Sequence, residues 1–199
     1  MKNQEIEQIP SDVKTRMELM KEWIKKYNVK SILDMGSKGV KEENLKKIID
    51  VDIYASITKL DLNKTSPLPF DNDSFDCVIL SQILEHLFYP QKTLKEAVRI
   101  TKKFVIVGLP HDFSLDSRLQ MLLGRYKMCR SVLYGQTGLL HRKDYKKFIK
   151  PGENKLVELE KCYLFGLKGD RFLPKWLKRF LSKWNLFCRN FYIMYQKSG

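Results

Sequence analysis

Residues 68–87 read LPFDNDSFDCVILSQILEHL, and they decide the fold. Asp76–Leu80 (DCVIL) is a short apolar run bounded by turn residues. Such a run marks a strand buried on both faces, as in a parallel sheet. Helical residues begin near Ser81. Pro90 opens a second helix over residues 91–103, with Leu94, Ala97, Val98 and Thr101 on one face. Residues 104–110 (FVIVGLP) then form another buried strand.

The same rhythm extends upstream. Residues 11–27 read as an amphipathic helix with Ser11 as N-cap and Val13, Met17, Met20, Trp23, Ile24 and Tyr27 at helical spacing. Ser31–Asp34 is a short strand, Met35–Gly39 a turn and residues 41–49 a short helix. Residues 51–62 hold one or two short strands, VDIY and ITKLDL, before a turn-rich stretch from Asn63 to Ser74. Strand, helix, strand in this order predicts an α/β fold whose mostly parallel sheet has helices on both faces. Downstream the pattern loosens. Residues 114–126, 141–149 and 174–187 read as helices, residues 129–140 as a loop, and residues 155–166 and 191–197 as strands.

At 199 residues and 23.6 kDa the chain suits one domain. Its 43% hydrophobic content supplies a core, and its 30% charged content leaves no apolar run long enough for a spanning helix. The opening MKNQEIEQIP has no apolar stretch, so a secretory signal is not expected. Cys77, Cys129, Cys162 and Cys188 lie far apart without metal-ligand spacing, so no metal site is expected. They suggest reduced thiols and a cytoplasmic location.

The net charge of +14 is unevenly placed. Residues 1–98 carry 15 Lys/Arg and 16 Asp/Glu, whereas residues 99–199 carry 22 and 7. A basic half favours an anionic partner. Lysine accounts for 28 of the 37 basic residues, so compositional bias explains part of the charge but not its asymmetry.

Two motifs carry the chemistry. In Ile32–Gly39 (ILDMGSKG) a strand ends in Asp-x-Gly, which brings backbone N–H groups to the carboxyl end of the sheet. An ordinary turn with two glycines would look the same. The longer stretch, LPF followed by SFD-x-V and LEH, is more specific. Together with Tyr89–Pro90, Leu94, Glu96, Arg99 and Val105–Pro110, it resembles the class I S-adenosylmethionine-dependent methyltransferases of the type 11 branch. Within that branch, Arg118–Gly124 and Lys143–Asp144–Tyr145 resemble the MetW-type proteins.

The resemblance implies one Rossmann-like methyltransferase domain, with 11–110 as the cofactor-binding half, 111–150 as a substrate lid and 151–199 as C-terminal strands and a basic helix. It implies S-adenosylmethionine as cofactor. Asp34 and Gly36 would line its methionine end, with Ser37 and Gly39 completing the turn. Lys38 stands where the family has glycine, and it either pairs with the cofactor carboxylate or occludes the pocket. Asp52 is the first choice for the acid that accepts both ribose hydroxyls. Asp61 and Leu62 would then flank the adenine. The segment from Asp34 to Asp61 is short for the family, so the fold is abbreviated between its first and fourth strands, and Asp61 is the alternative ribose acid. Ser81 and Gln82 would face the sulfonium. His111 and His141 are weak candidates for a base, against ordinary structural or solvated histidines.

Residues 174–187 place Trp176, Leu177, Phe180, Leu181, Trp184 and Phe187 on one helical face, with Lys175, Lys178, Arg179, Ser182 and Lys183 mostly on the other. This is the composition of an interfacial helix, or of a core-packed helix with a solvated face. The leading expectation is therefore a methyltransferase acting on a small-molecule or lipid-linked, anionic acceptor, with peripheral contact to an anionic membrane surface. A non-catalytic partner subunit and an RNA-binding methyltransferase are the alternatives. Nucleic acid ranks lower, because the aromatic residues form no evident stacking array.

Overall fold

The computed structural model describes residues 16–36, 51–57, 60–111, 114–124, 149, 154–165, 173–182 and 184–199. They form α1 (Arg16–Lys26), β1 (Ser31–Asp34), β2 (Ile53–Ser56), β3 (Phe75–Ser81), α2 (Pro90–Ile100), β4 (Thr101–Pro110), α3 (Leu115–Leu122), β5 (Leu156–Phe165), α4 (Lys175–Ser182) and β6 (Cys188–Lys197). The strands make one sheet in the order β2-β1-β3-β4-β6-β5. β2, β1, β3 and β4 run parallel, and β6 alone is reversed, antiparallel to both β4 and β5.

Every residue of β1 and β3 is buried, as in strands covered on both faces of a parallel sheet. Alternate side chains feed two separate layers. Leu33, Val78, Leu80, Val105 and Val107 pack with Leu94, Ala97 and Val98 of α2 on one face. Ile32, Cys77, Ile79, Phe104 and Ile106 pack with Leu19, Met20, Trp23 and Ile24 of α1 on the other. The expected α/β sheet with helices on both faces is therefore present.

Local boundaries differ from the sequence reading. β2 is IYAS, not VDIY, and Leu60–Leu62 is not strand. Ser81 ends β3 instead of starting a helix, and only a 3-10 turn, Leu84–His86, precedes α2. Thr101 leaves α2 to open β4, because its Oγ1 donates to Phe104 O at 2.7 Å and its side chain is buried. The helices expected at 41–49 and 141–149 and the loop at 129–140 lie outside the described residues, save Ile149.

The LPF and SFD motifs have structural roles. Arg99 on α2 donates to Leu68 O, Phe70 O and Asn72 Oδ1 and pairs with Glu96 at 2.8 Å, so it clamps the LPFDN segment to the helix. Asp76 accepts from the N–H groups of Lys30 and Ser31 at 2.9 and 3.2 Å, and Ser31 Oγ accepts from Asp76 N–H at 2.8 Å. That exchange locks β3 to β1 at the amino edge of the sheet. Burial pushes the Asp76 carboxyl up, but these N–H donors and Lys103 prevail and hold it below its usual value. Among the described residues no helix is long and apolar enough to cross a membrane.

Candidate active site at the carboxyl edge

The parallel strands end together at Asp34, Ser56, Ser81 and Pro110. Asp34 is only 1% exposed. Its Oδ1 accepts from Gly36 N–H at 2.8 Å and its Oδ2 accepts from Tyr54 OH at 2.6 Å. Arg16 Nη2 on α1 lies 3.8 Å away. These partners compensate the buried charge and shape the turn that leaves β1. A Cβ on Gly36 would stand 2.2 Å from Ser81 O, so only glycine lets this turn pass so close to β3.

Ser81 is buried, with its Oγ 3.0 Å from Tyr192 OH. Gln82 adopts a left-handed φ of 51°. Its N–H donates to Gly108 O at 2.8 Å, and its Nε2 donates to Asn190 Oδ1 at 2.7 Å. A non-glycine residue in this region is strained, and such strain gathers at functional sites. His111 follows β4, is buried, and donates its backbone N–H to Arg189 O at 2.6 Å.

The structure therefore brings Asp34, Gly36, Ser81, Gln82 and His111 to one edge. Asp52 is not there. It is exposed, it precedes β2, and its N–H donates to Lys30 O at 3.0 Å. The register Ser31↔Ile53 and Asp34↔Ser56 puts it at the opposite edge of the sheet, away from Asp34 and Ser81. The sequence reading set the strand two residues early.

Asp61 follows the carboxyl end of β2. Its Oδ1 accepts from Asn63 N–H at 3.0 Å, and Lys64 Nζ lies 3.6 Å from Oδ2. Asn63 Oδ1 in turn accepts from Phe88 N–H at 2.8 Å, which ties this turn to the segment leaving β3. Leu62 packs against the α2 layer. Ser37, Lys38, Gly39 and His141 lie outside the described residues.

Sequence reasoning missed Arg16, Tyr54, Asn190 and Tyr192. Asn190 and Tyr192 act across more than 100 positions of chain, on a strand whose pairing no local pattern announces. Tyr192 also fills the space beside Gly108, where a Cβ would stand 2.2 Å from its ring.

A cavity of about 230 Å³ lies between the Leu62–Ser66 turn and the start of α2, lined also by Tyr89, Lys92 and Glu96. Neither Asp34 nor Ser81 lines it. Hydrogen bonds from Arg99, and one from Leu68 N–H, hold the Glu96 carboxyl below its usual value against the effect of burial. Among the described residues no three His, Cys, Asp or Glu side chains gather as metal ligands.

The sequence profile described as "Methionine biosynthesis protein MetW" matches residues 21–189. The chain belongs to the MetW family. Its fold is that of the S-adenosylmethionine-dependent methyltransferases. One such protein from Archaeoglobus fulgidus aligns with TM-score 0.52 at 15% identity, covering 91% of this chain and 94% of that one. A magnesium protoporphyrin IX methyltransferase from Synechocystis, solved with bound S-adenosylhomocysteine, aligns with TM-score 0.56 at 10% identity, covering 92% and 82%. A methyltransferase from Thermotoga maritima aligns with TM-score 0.51 at 17% identity, covering 90% and 89%. No curated protein is significantly similar in sequence.

Proposed function

We propose that this member of the MetW family binds S-adenosylmethionine along the carboxyl edge of β1, β2 and β3 and transfers its methyl group to a nucleophile. One observation carries this reading. The Asp34–Gly36 turn is held by its own carboxylate and pressed against the exit of β3, where Gln82 is strained. A backbone made to pass this closely at a strand's carboxyl end fits a ligand that approaches main-chain N–H groups.

When bound, the cofactor supplies a methyl group on a sulfonium, which is already an activated leaving group. The protein's task is then alignment and exclusion of water. Asp34, Gly36, Ser81 and Gln82 would border the methionyl end. Asp61 would accept from the ribose hydroxyls, since it is the acid past the carboxyl end of β2, and Leu62 would lie against the adenine. His111 would take the proton of an acceptor that must lose one. No further catalytic group is demanded by this chemistry.

Calorimetry with S-adenosylhomocysteine tests the proposal. Saturable one-site binding is expected. No binding at millimolar ligand would overturn it and leave the fold to serve a partner.

A further inference from the structure

α4 and the bend after it carry three large aromatic side chains four positions apart, and all three face solvent. Trp176 is 69% exposed, Phe180 54% and Trp184 57%. The rings of Phe180 and Trp184 stand 6.5 Å apart and tilted. Trp184 donates its backbone N–H to Leu181 O at 2.9 Å, which ties it to the last turn of α4. Leu119, Leu122 and Leu123, in α3 and just after it, are also exposed, Leu122 at 83%. α3 packs against the 3-10 turn Asn185–Phe187, which follows α4. The two apolar sets therefore occupy neighbouring elements.

Charge accompanies this surface. From Leu173 to Cys188 the chain has four Lys/Arg and no acid. Arg118 on α3 is exposed. Asp116 is neutralised by Arg189 at 2.7 Å. Place matters as well. Asn190 pairs with Pro110 and Cys188 with Phe165, so α4 feeds into β6 at the carboxyl edge of β4, the edge that holds the candidate site.

We infer that Trp176, Phe180 and Trp184, with the leucines of α3, dock this edge on an anionic lipid membrane. Tryptophans beside cations suit the headgroup boundary, where one side of the ring is apolar and the other wet. A second copy of the chain is a poorer occupant, because it would bring two strongly basic surfaces together. Docking turns the site toward the bilayer, so the fitting acceptors are amphipathic molecules resident in or on it. The docking itself does not depend on methyl transfer, and its test needs no cofactor.

The experiment is co-sedimentation of the full chain with vesicles of equimolar phosphatidylglycerol and phosphatidylcholine, and with vesicles of phosphatidylcholine alone. Binding to the anionic vesicles at low salt is expected, with loss at high salt. Lys178→Gln should weaken it about fivefold, the worth of one cation near such a surface. The double variant W176S/W184S should weaken it roughly tenfold or more, with little change in melting temperature because both side chains are mostly exposed. Tryptophan emission should shift to the blue on binding, whereas Trp23, buried against β5, contributes a constant signal. Failure to sediment with anionic vesicles at low salt overturns the inference. So does equal binding by W176S/W184S, or equal binding to phosphatidylcholine alone. A dimer dispersed by W176S/W184S, without vesicle binding, overturns it in favour of a second copy.

Discussion

At the scale of single residues the two aspartates proposed for the ribose are separated by strand register. Asp52 precedes β2 and Asp61 follows it, so the sheet itself lies between them. Asp61→Ala should weaken S-adenosylhomocysteine binding by about 1.5–3 kcal/mol, the scale of hydrogen bonds to a charged group. Asp52→Ala should leave it unchanged. Calorimetry on the two variants decides between them, and a loss in Asp52→Ala alone would return the role to that residue. Asp61 is half in water and its present partners are local, so its removal should not cost the fold. The sequence makes Asp34 and Gly36 readable because their chemistry is local: a carboxylate bonding its own turn, and a glycine two residues on. Arg16 and Tyr192 were not readable, since each reaches its partner only through the assembled sheet.

At the scale of elements, α1 is fixed to β5 through one carboxylate. Glu160 accepts from Trp23 Nε1 at 2.8 Å and also from Lys26 Nζ and Tyr27 OH. Burial pushes the Glu160 carboxyl up, but the donors of Lys26, Tyr27 and Trp23 together outweigh it, so its pKa lies below the usual value. A depressed carboxylate contributes stability above its unfolded pKa, about 4.3, and loses it as pH falls through the lower folded value. Glu160→Gln should therefore destabilise the protein by about 1 kcal/mol near neutrality. The gap from wild type should close as pH drops below about 4. Melting curves across pH check this, and a gap that stays constant into acid would assign the loss to packing instead. The strands β3 and β4 were legible as apolar runs, β1 as a short strand before its turn, and α2 by its periodicity. The ends of β2 and the opening of β4 were not, because pairing with β1 and the Thr101 hydrogen bonds set them.

At the scale of the whole molecule, the charge asymmetry seen along the chain becomes an arrangement in space. The nearly neutral first half builds β1, β2 and β3 and the turn that would receive the cofactor. The basic second half builds β4, α3, α4 and the antiparallel pair β5 and β6, and its α4–β6 junction lies at the same edge beside β4, whereas Lys197 ends β6 at the opposite edge against Asp73. The asymmetry was legible in composition, but its position was not, since it depends on β6 inserting between β4 and β5. Two ligands meeting this edge should then differ in their response to ions. S-adenosylhomocysteine is a zwitterion with no net charge, and it would be bound by hydrogen bonds at close range, where salt screens little. An anionic vesicle would meet the summed field of the basic half, where each cation contributes on the order of 1 kcal/mol at low salt. Raising salt from about 0.01 to 1 M shortens the screening length from about 30 to 3 Å. Across that range the dissociation constant for S-adenosylhomocysteine should move less than about threefold, while vesicle binding should fall by roughly two orders of magnitude or more. Calorimetry and co-sedimentation in the same buffers measure both. Parallel loss of the two would place the cations at the cofactor site itself, and the separation into a neutral cofactor half and a basic docking half would not stand.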